Sequence, residues 1–293
     1  METTPTTSLA PELQAVLAKD RKGGSSYPQL PVIRLCNKDM KQTTEGHYFI
    51  ETRKGKDEAP EIREIGPNPE VTILYRTSTY SYFDKSTETL RAWTTDIHGY
   101  TDLDRLAMFV NNDGKVSIAF DGAYPAFKEF KKKYDQVDPV TEKKKGSLLK
   151  FKTVLYVLFE GKPHKMFVST ASSTGIDKEG KADFKNPQPD SFSYFADKCW
   201  QEEHSTYEFK LELGSRYVES SKPYYLMTFN ILKTLEPKEL EQAIMARVET
   251  EKAIFAIDDA RRRSVKVEEP VSSFGEDITP LLSSDVKVED LPF

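Results

Sequence analysis

The sequence predicts a mainly β (α+β) protein with inserted helices, one C-terminal helix and a disordered acidic tail. Three features carry the prediction. Runs rich in Val, Ile, Thr, Tyr and Phe recur between residues 30 and 232, many bounded by turn residues, which is the pattern of half-buried strands. Residues 236–263 open mostly on acids and close on Arg261-Arg262-Arg263, the charge order a helix dipole favours. Beyond Val265 the chain turns to Pro, Ser, Gly and acids, with too little apolar surface to offset the entropy of ordering.

Taken in order, residues 1–27 form a polar arm. A short helix is expected over 11–20, capped by Ser8 or started by Pro11, and Gly23-Gly24-Ser25-Ser26 ends it. Residues 28–235 form the β-rich body. Its strands are expected at 31–35, 48–52, 71–76, 79–83, 89–94, 116–121, 149–159, 165–170, 207–213 and 224–232, with Asn112-Asp113-Gly114 as a turn before the sixth. Two helices interrupt them. One covers 123–134, with Tyr124, Phe127 and Phe130 on one side and lysines on the other; the second covers 191–200, with Phe192, Phe195 and Trp200 for packing. Residues 236–266 hold the C-terminal helix, with Leu240, Ile244, Val248 or Ala246, and Phe255 as its inward stripe. Residues 267–293 are the tail.

The composition narrows the classes of function. No apolar run approaches the ~20 residues that cross a bilayer. The first ten residues lack the basic start and apolar stretch of a secretory signal. Cys36 and Cys199 lie far apart, so a disulfide framework is not expected and a reducing compartment, the cytoplasm, is. The net charge of −5 is unevenly spread. Residues 267–293 hold seven acids and Lys287 as the single base, a net −6, which leaves the rest of the chain at +1.

The chain closes on Asp290-Leu291-Pro292-Phe293. Phe293 offers a ring and an α-carboxylate on one residue, which a partner can take in an apolar pocket beside a base. Pro292 lowers the ordering cost, and the nearby acids steer the tip toward a basic surface. An acid, Leu or Ile, Pro and Phe close a chain by chance in roughly one case in ten thousand. This end resembles the acidic tip of bacterial and bacteriophage single-stranded-DNA-binding proteins, in which a flexible linker ends in acids, an aliphatic residue, Pro and Phe. Asp290, Leu291, Pro292 and Phe293 match those last four positions one by one. Lys287 interrupts the acidic run, the aspartate string is thinned to Glu289-Asp290, and Leu291 stands where isoleucine is commoner. The resemblance implies a cytoplasmic protein of a bacterial host, cellular or phage-encoded, that coats and protects single-stranded DNA in replication, recombination or repair. It also implies recruitment of a helicase, polymerase, primase or recombinase through the tip. With the strand content it implies an OB-like Greek-key barrel carrying insertions.

Sequence-tolerant binding needs cations for phosphates and aromatic faces for bases. Lys131, Lys132, Lys133, Lys143, Lys144, Lys145, Lys150 and Lys152 fall close together. Alternation in 149–159 puts Phe151, Leu155, Val157 and Phe159 on one face, and Lys150, Lys152 and Tyr156 on the other, the expected DNA side. Tyr80, Tyr82, Arg91 and Trp93 form a second candidate group.

No enzyme is expected, and no cofactor or metal. The segment 175–182 has the glycines and lysine of a phosphate loop, but Ala182 stands where a magnesium-binding hydroxyl belongs. His47, His98, His164 and His204 show no metal-ligand spacing. Two other functions stay open. One is a metal-dependent nuclease or recombination enzyme with Asp96, Asp102 and Asp104 as ligands. The other is a scaffold that mimics the tip and binds no DNA.

Overall fold

A computed structural model of the chain describes residues 30–37, 43–53, 59–84, 86–87, 89–101, 104–112, 114–137, 144–177, 182–220 and 223–264. The polar arm with the helix expected over 11–20, Lys143, Asp102 and the tail with Asp290-Leu291-Pro292-Phe293 lie outside these residues.

Thirteen strands are described. They are β1 Val32–Leu35, β2 Tyr48–Thr52, β3 Glu61–Gly66, β4 Glu70–Asp84, β5 Thr89–Thr94, β6 Arg105–Asn112 and β7 Lys115–Ala123, then β8 Asp135–Val137, β9 Lys144–Ser147, β10 Lys150–Phe159, β11 Lys162–Val168, β12 Phe209–Val218 and β13 Tyr224–Thr234. The helices are α1 Tyr124–Phe130, which runs on into a 3-10 turn at Lys131–Tyr134, then α2 Thr170–Thr174, α3 Phe192–Gln201 and α4 Pro237–Ser264. A second 3-10 turn covers Thr206–Glu208.

The main sheet runs β3-β2-β1-β11-β10-β4-β5-β6-β7, with the β12–β13 hairpin joined to the start of β4. The β1–β11 pair is parallel and its neighbours are antiparallel, so the sheet is mixed. The mainly β architecture with a C-terminal helix matches the expectation. The barrel does not: the sheet stays open. Charge guards one of its edges, since β3 carries Glu61, Arg63 and Glu64 exposed, and an edge strand of that kind resists further pairing.

Both faces are covered, which is why so many strands are buried on both sides. On the first face, Ile33, Tyr48, Ile73, Leu155 and Met166 pack against α3 and the β12–β13 hairpin. On the outer strands of that face, Leu106, Met108 and Val110 pack under Tyr124 and Phe127 of α1. The second face is crossed by α4, through Ala243 against Leu74 and Ile254 against Val154 and Tyr156. Of the expected inward stripe of α4, Leu240 and Ala246 do pack against the core at Leu74, whereas Ile244, Val248 and Phe255 are half exposed; Ala243, Thr250 and Ile254 are the most deeply buried positions of the helix. The two strands expected over 71–83 are one strand, β4, with a bulge at Leu74 where Tyr75 pairs with Tyr156 but Ile73 pairs with Val157.

Two further contacts seat α4. His98 stacks on Phe255 at 4.4 Å between ring centroids, and its Nδ1 lies 3.1 Å from the Tyr75 hydroxyl. Near the helix end, the Asp258 carboxylate accepts the backbone N–H of Asp96 at 3.2 Å. Asp96 is itself buried, and it accepts from Thr77 and Tyr156 at 2.6 Å each and from Lys165 at 3.3 Å. Burial opposes ionisation of Asp96, but Lys165 and the two hydroxyls outweigh it and hold the acid below its ordinary range. Asp258 takes the other side of this pair. Burial, and then the Asp96 charge, push its pKa up to about 6. A raised acid pKa favours the folded state at low pH, and that gain is lost as pH rises through about 6. Asp258→Asn is therefore expected to stabilise the protein at pH 8 by up to about 3 kcal/mol, the worth of a shift of roughly two units. The difference should shrink to near zero by pH 4, as urea unfolding at the two pH values would measure.

Candidate nucleic-acid interface

The α4 side of the sheet is only half crossed by the helix. Beyond Val154 and Tyr156, register places a row of side chains on that face. Lys150 pairs with Ser81, Ser81 with Trp93, and Trp93 with Phe109. Directly paired residues point the same way, so Lys150, Trp93 and Phe109 share this face, and Lys152 follows them opposite Thr79. Trp93 stacks on Phe109 with centroids 5.7 Å apart and planes 23° from parallel, which leaves its outer side part exposed. Lys152 Nζ and Lys165 Nζ lie 5.8 and 5.2 Å from the centroid of Phe167, on β11. Arg34 of β1 completes the strip, near enough that it and burial together lower the pKa of Lys152.

The charge of the strip is positive. Arg34 pairs with Glu51 at 2.6 Å. Lys150 and Lys152 pair with no described carboxylate, so three cations face one acid. The end of α4 adds to this border. Arg262 donates to the carbonyl of Arg105, four residues before Phe109 on β6, at 2.6 Å. An aromatic face flanked by unneutralised lysines on a flat strand surface is what a base and its phosphate need together.

The structure brings Lys150, Lys152 and Trp93 onto one face and separates the remaining candidates from them; Arg91, the extra residue of a bulge in β5, pairs with Asp84 beside Tyr82 on the opposite face. Tyr156 shares that face by alternation but lies beneath Ile254 of α4, 3% exposed, with its hydroxyl on Asp96. It is withdrawn from any base. Tyr80 and Tyr82 point to the opposite face. Tyr80 is core, packed on Phe127 and Phe151, and Tyr82 packs against the same cluster. Lys131 lies 4.6 Å over the Tyr80 ring and donates to its hydroxyl at 3.1 Å, so this lysine closes off the ring expected to stack. Lys133 covers Phe130 at 4.9 Å, and Lys132 pairs with Glu129 at 2.5 Å. Lys144 lies in β9, followed by Lys145, across a short hairpin from β8. Sequence reading missed Arg34, Phe109 and Phe167. Phe167 was legible as the residue between Met166 and Val168 in an alternating strand, but its neighbours come from β1 and β10.

The carboxylates of the nuclease reading have other work. Asp96 is enclosed by its donors, and Asp104 caps the backbone N–H groups of Gly99 and Tyr100. Gly175 of the phosphate-loop-like segment has φ 84° and ends α2, so its N–H bonds back to Ala171. A helix C-terminus carries the wrong end of the dipole for an anion. No family model, curated protein or solved structure matches this chain.

Two substitutions separate structural from surface roles. Tyr156→Phe removes one donor from a buried carboxylate and is expected to cost about 1–3 kcal/mol of stability. Lys150→Glu, on an exposed side chain, should stay within about 0.5 kcal/mol of the parent. Chemical denaturation of the two variants beside the parent makes the comparison.

Proposed function

We propose that this chain binds single-stranded DNA without sequence preference, along the open half of the α4 face, and recruits DNA-processing proteins through Asp290-Leu291-Pro292-Phe293. It acts as a binding protein rather than an enzyme. The observation that carries the reading is the row Lys150–Ser81–Trp93–Phe109, which sets a part-exposed indole beside unneutralised lysines. Bases stack on Trp93, with Phe167 as a second apolar contact, and phosphates lie along Lys150 and Lys152. An OB-like barrel is not required for this, because an open sheet offers the same combination of strand face and cations. Among the described residues no helix is long and apolar enough to cross a membrane. The tip recruits a helicase, polymerase, primase or recombinase. The acidic tail, net −6, competes with DNA for the strip at low salt.

Tryptophan fluorescence tests the reading directly. Trp200 is 81% exposed on α3, so Trp200→Phe leaves Trp93 as the sole tryptophan without disturbing the core. Titration with oligo-dT should quench that signal, and log affinity should fall linearly with log salt. Lys150→Glu with Lys152→Glu is expected to weaken binding about tenfold or more at low salt and to flatten the salt slope by about 1 to 2 units. Unquenched Trp93 at low salt would sink the proposal. Deleting residues 267–293 should tighten binding at low salt and make no difference at high salt, as the same titration would report.

A further inference from the structure

The open face does not end at Trp93. Phe83 lies two residues past Ser81 on β4 and pairs with Leu90 of β5, so both fall on the side of Lys150 and Trp93. Strict alternation would put Leu90 and Trp93, three residues apart, on opposite faces. The extra residue Arg91 brings them onto the same one. Arg91 itself pairs with Asp84 at 3.5 Å on the far side. Asp84 also accepts the backbone N–H and the hydroxyl of Ser86, at 3.0 and 2.6 Å. The hairpin end is thus tied down from one face and presents Phe83 and Leu90 on the other.

Phe83 is 51% exposed and Leu90 40%, although both sit in a paired strand. Three rows run side by side toward them. Lys152 and Lys150 form a row of cations on β10, Thr79 and Ser81 a row of small hydroxyls on β4, and Trp93 and Leu90 an apolar row on β5. Phe83 closes the middle row. Adjacent strands are ~4.8 Å apart, so the cations and the apolar row are separated by ~10 Å. A nucleotide bridges such a gap, with its phosphate on one side, its base on the other and its sugar over the small residues between. Exposed apolar side chains gathered in this way mark a contact surface, and the lysines beside them select a polyanion as what covers it.

We propose that Phe83, with Leu90 beside it, is a second base platform, so that the strip takes an extended single strand with neighbouring bases held apart. This rests on the DNA-binding reading and adds a preference to it. From Ser81 to Phe83 is two strand residues, ~7 Å, whereas stacked neighbours in a nucleic-acid strand lie ~3.4 Å apart. Bases seated on Trp93 and Phe83 therefore cannot stack on each other. A strand gives up its own stacking when it binds, and thymines, which stack weakly, lose less than adenines. The site chooses strands by their stiffness, without hydrogen bonds to base edges.

The full chain carrying Trp200→Phe tests this by titration with oligo-dT and oligo-dA of equal length at low salt. Oligo-dT should bind at least threefold more tightly. Phe83→Ser should weaken oligo-dT binding about fivefold or more and oligo-dA binding less, so that the preference narrows. Tyr217→Ser removes a ring that is 53% exposed on the β12–β13 hairpin and should leave both affinities unchanged. A reporter gives an independent reading: Phe83→Trp, combined with Trp93→Phe and Trp200→Phe, leaves one indole at position 83, and oligo-dT should quench it. Quenching of Trp93 with Phe83→Ser indistinguishable from its parent overturns the second platform and leaves the DNA-binding reading standing. Equal affinity of the parent for oligo-dT and oligo-dA overturns it too. A change of oligomeric state in Phe83→Ser with affinity unaltered overturns it in favour of a contact between copies of the chain. Unquenched Trp93 overturns both readings.

Discussion

The carboxylate of Asp96 is 4% exposed and charged, a combination that survives only because every direction around it supplies a donor. Thr77 comes from β4, Tyr156 from β10 and Lys165 from β11, while the Asp96 backbone itself binds Asp258 of α4. Four elements therefore meet at one residue of the β5–β6 loop. The arrangement fixes where α4 stops on the sheet, since the helix must deliver Asp258 to the Asp96 N–H and nothing further along is bound so deeply. A buried pair like Asp96–Lys165 is weak evidence for net stability, because desolvation offsets most of its attraction. What it supplies is position. Moving α4 by one turn would strand a charge inside the sheet.

That position decides what the second face offers. Up to Tyr156 the strands are sealed by Ile254 and Ala243; past it Lys152, Lys150 and Trp93 have no described helix above them. The residues that belong to this open half are chosen by a bulge. Phe83 pairs with Leu90, but Tyr82 pairs with Ala92, so Arg91 is an extra residue on β5. In unbroken register Trp93 would oppose Tyr80 and join the aromatic core under α1. The inserted residue turns it over to oppose Ser81 instead. One bulge thus moves an indole from the core face to the open face, beside Lys150.

The same bulge marks the limit of what the sequence could reveal. Alternation within a strand was readable: Lys150 and Lys152 do lie opposite Phe151, and Tyr80 and Tyr82 do share a face. Element types were readable where the pattern was strong, as for β2, β5 and α4. β6 was not, because Leu106-Ala107-Met108-Phe109-Val110 is buried on both sides and shows no period, and several of its residues suit helices equally. β3 was hidden for the opposite reason, since its charged edge sequence carries little apolar signal. The candidate strip was half legible. Residue types near 80–93 and 150–156 pointed to strands that border it, but assigning a face across β10, β4 and β5 needs the bulges at Leu74 and Arg91, which local composition does not announce. Tyr156 illustrates the cost. Its parity was right, and only the docking of a helix a hundred residues later removes it from the surface.

The charge pattern ties these levels together. A helix that ends in Arg261, Arg262 and Arg263 is favoured by its own dipole, whatever the surroundings. Because the Asp96–Asp258 contact fixes where that helix lies on the sheet, Arg262 comes to rest on the Arg105 carbonyl of β6, while Arg261 and Arg263 pair with Asp258 and Asp259 of the helix itself. The body's near-zero net charge gives no sign of the lysines on the open face, since neutralised pairs such as Arg63–Glu160 dilute the sum without weakening the local field. An interface for a polyanion depends on where cations lack partners, and among the described residues Lys150 and Lys152, on the half of the sheet left uncovered by α4, are such cations.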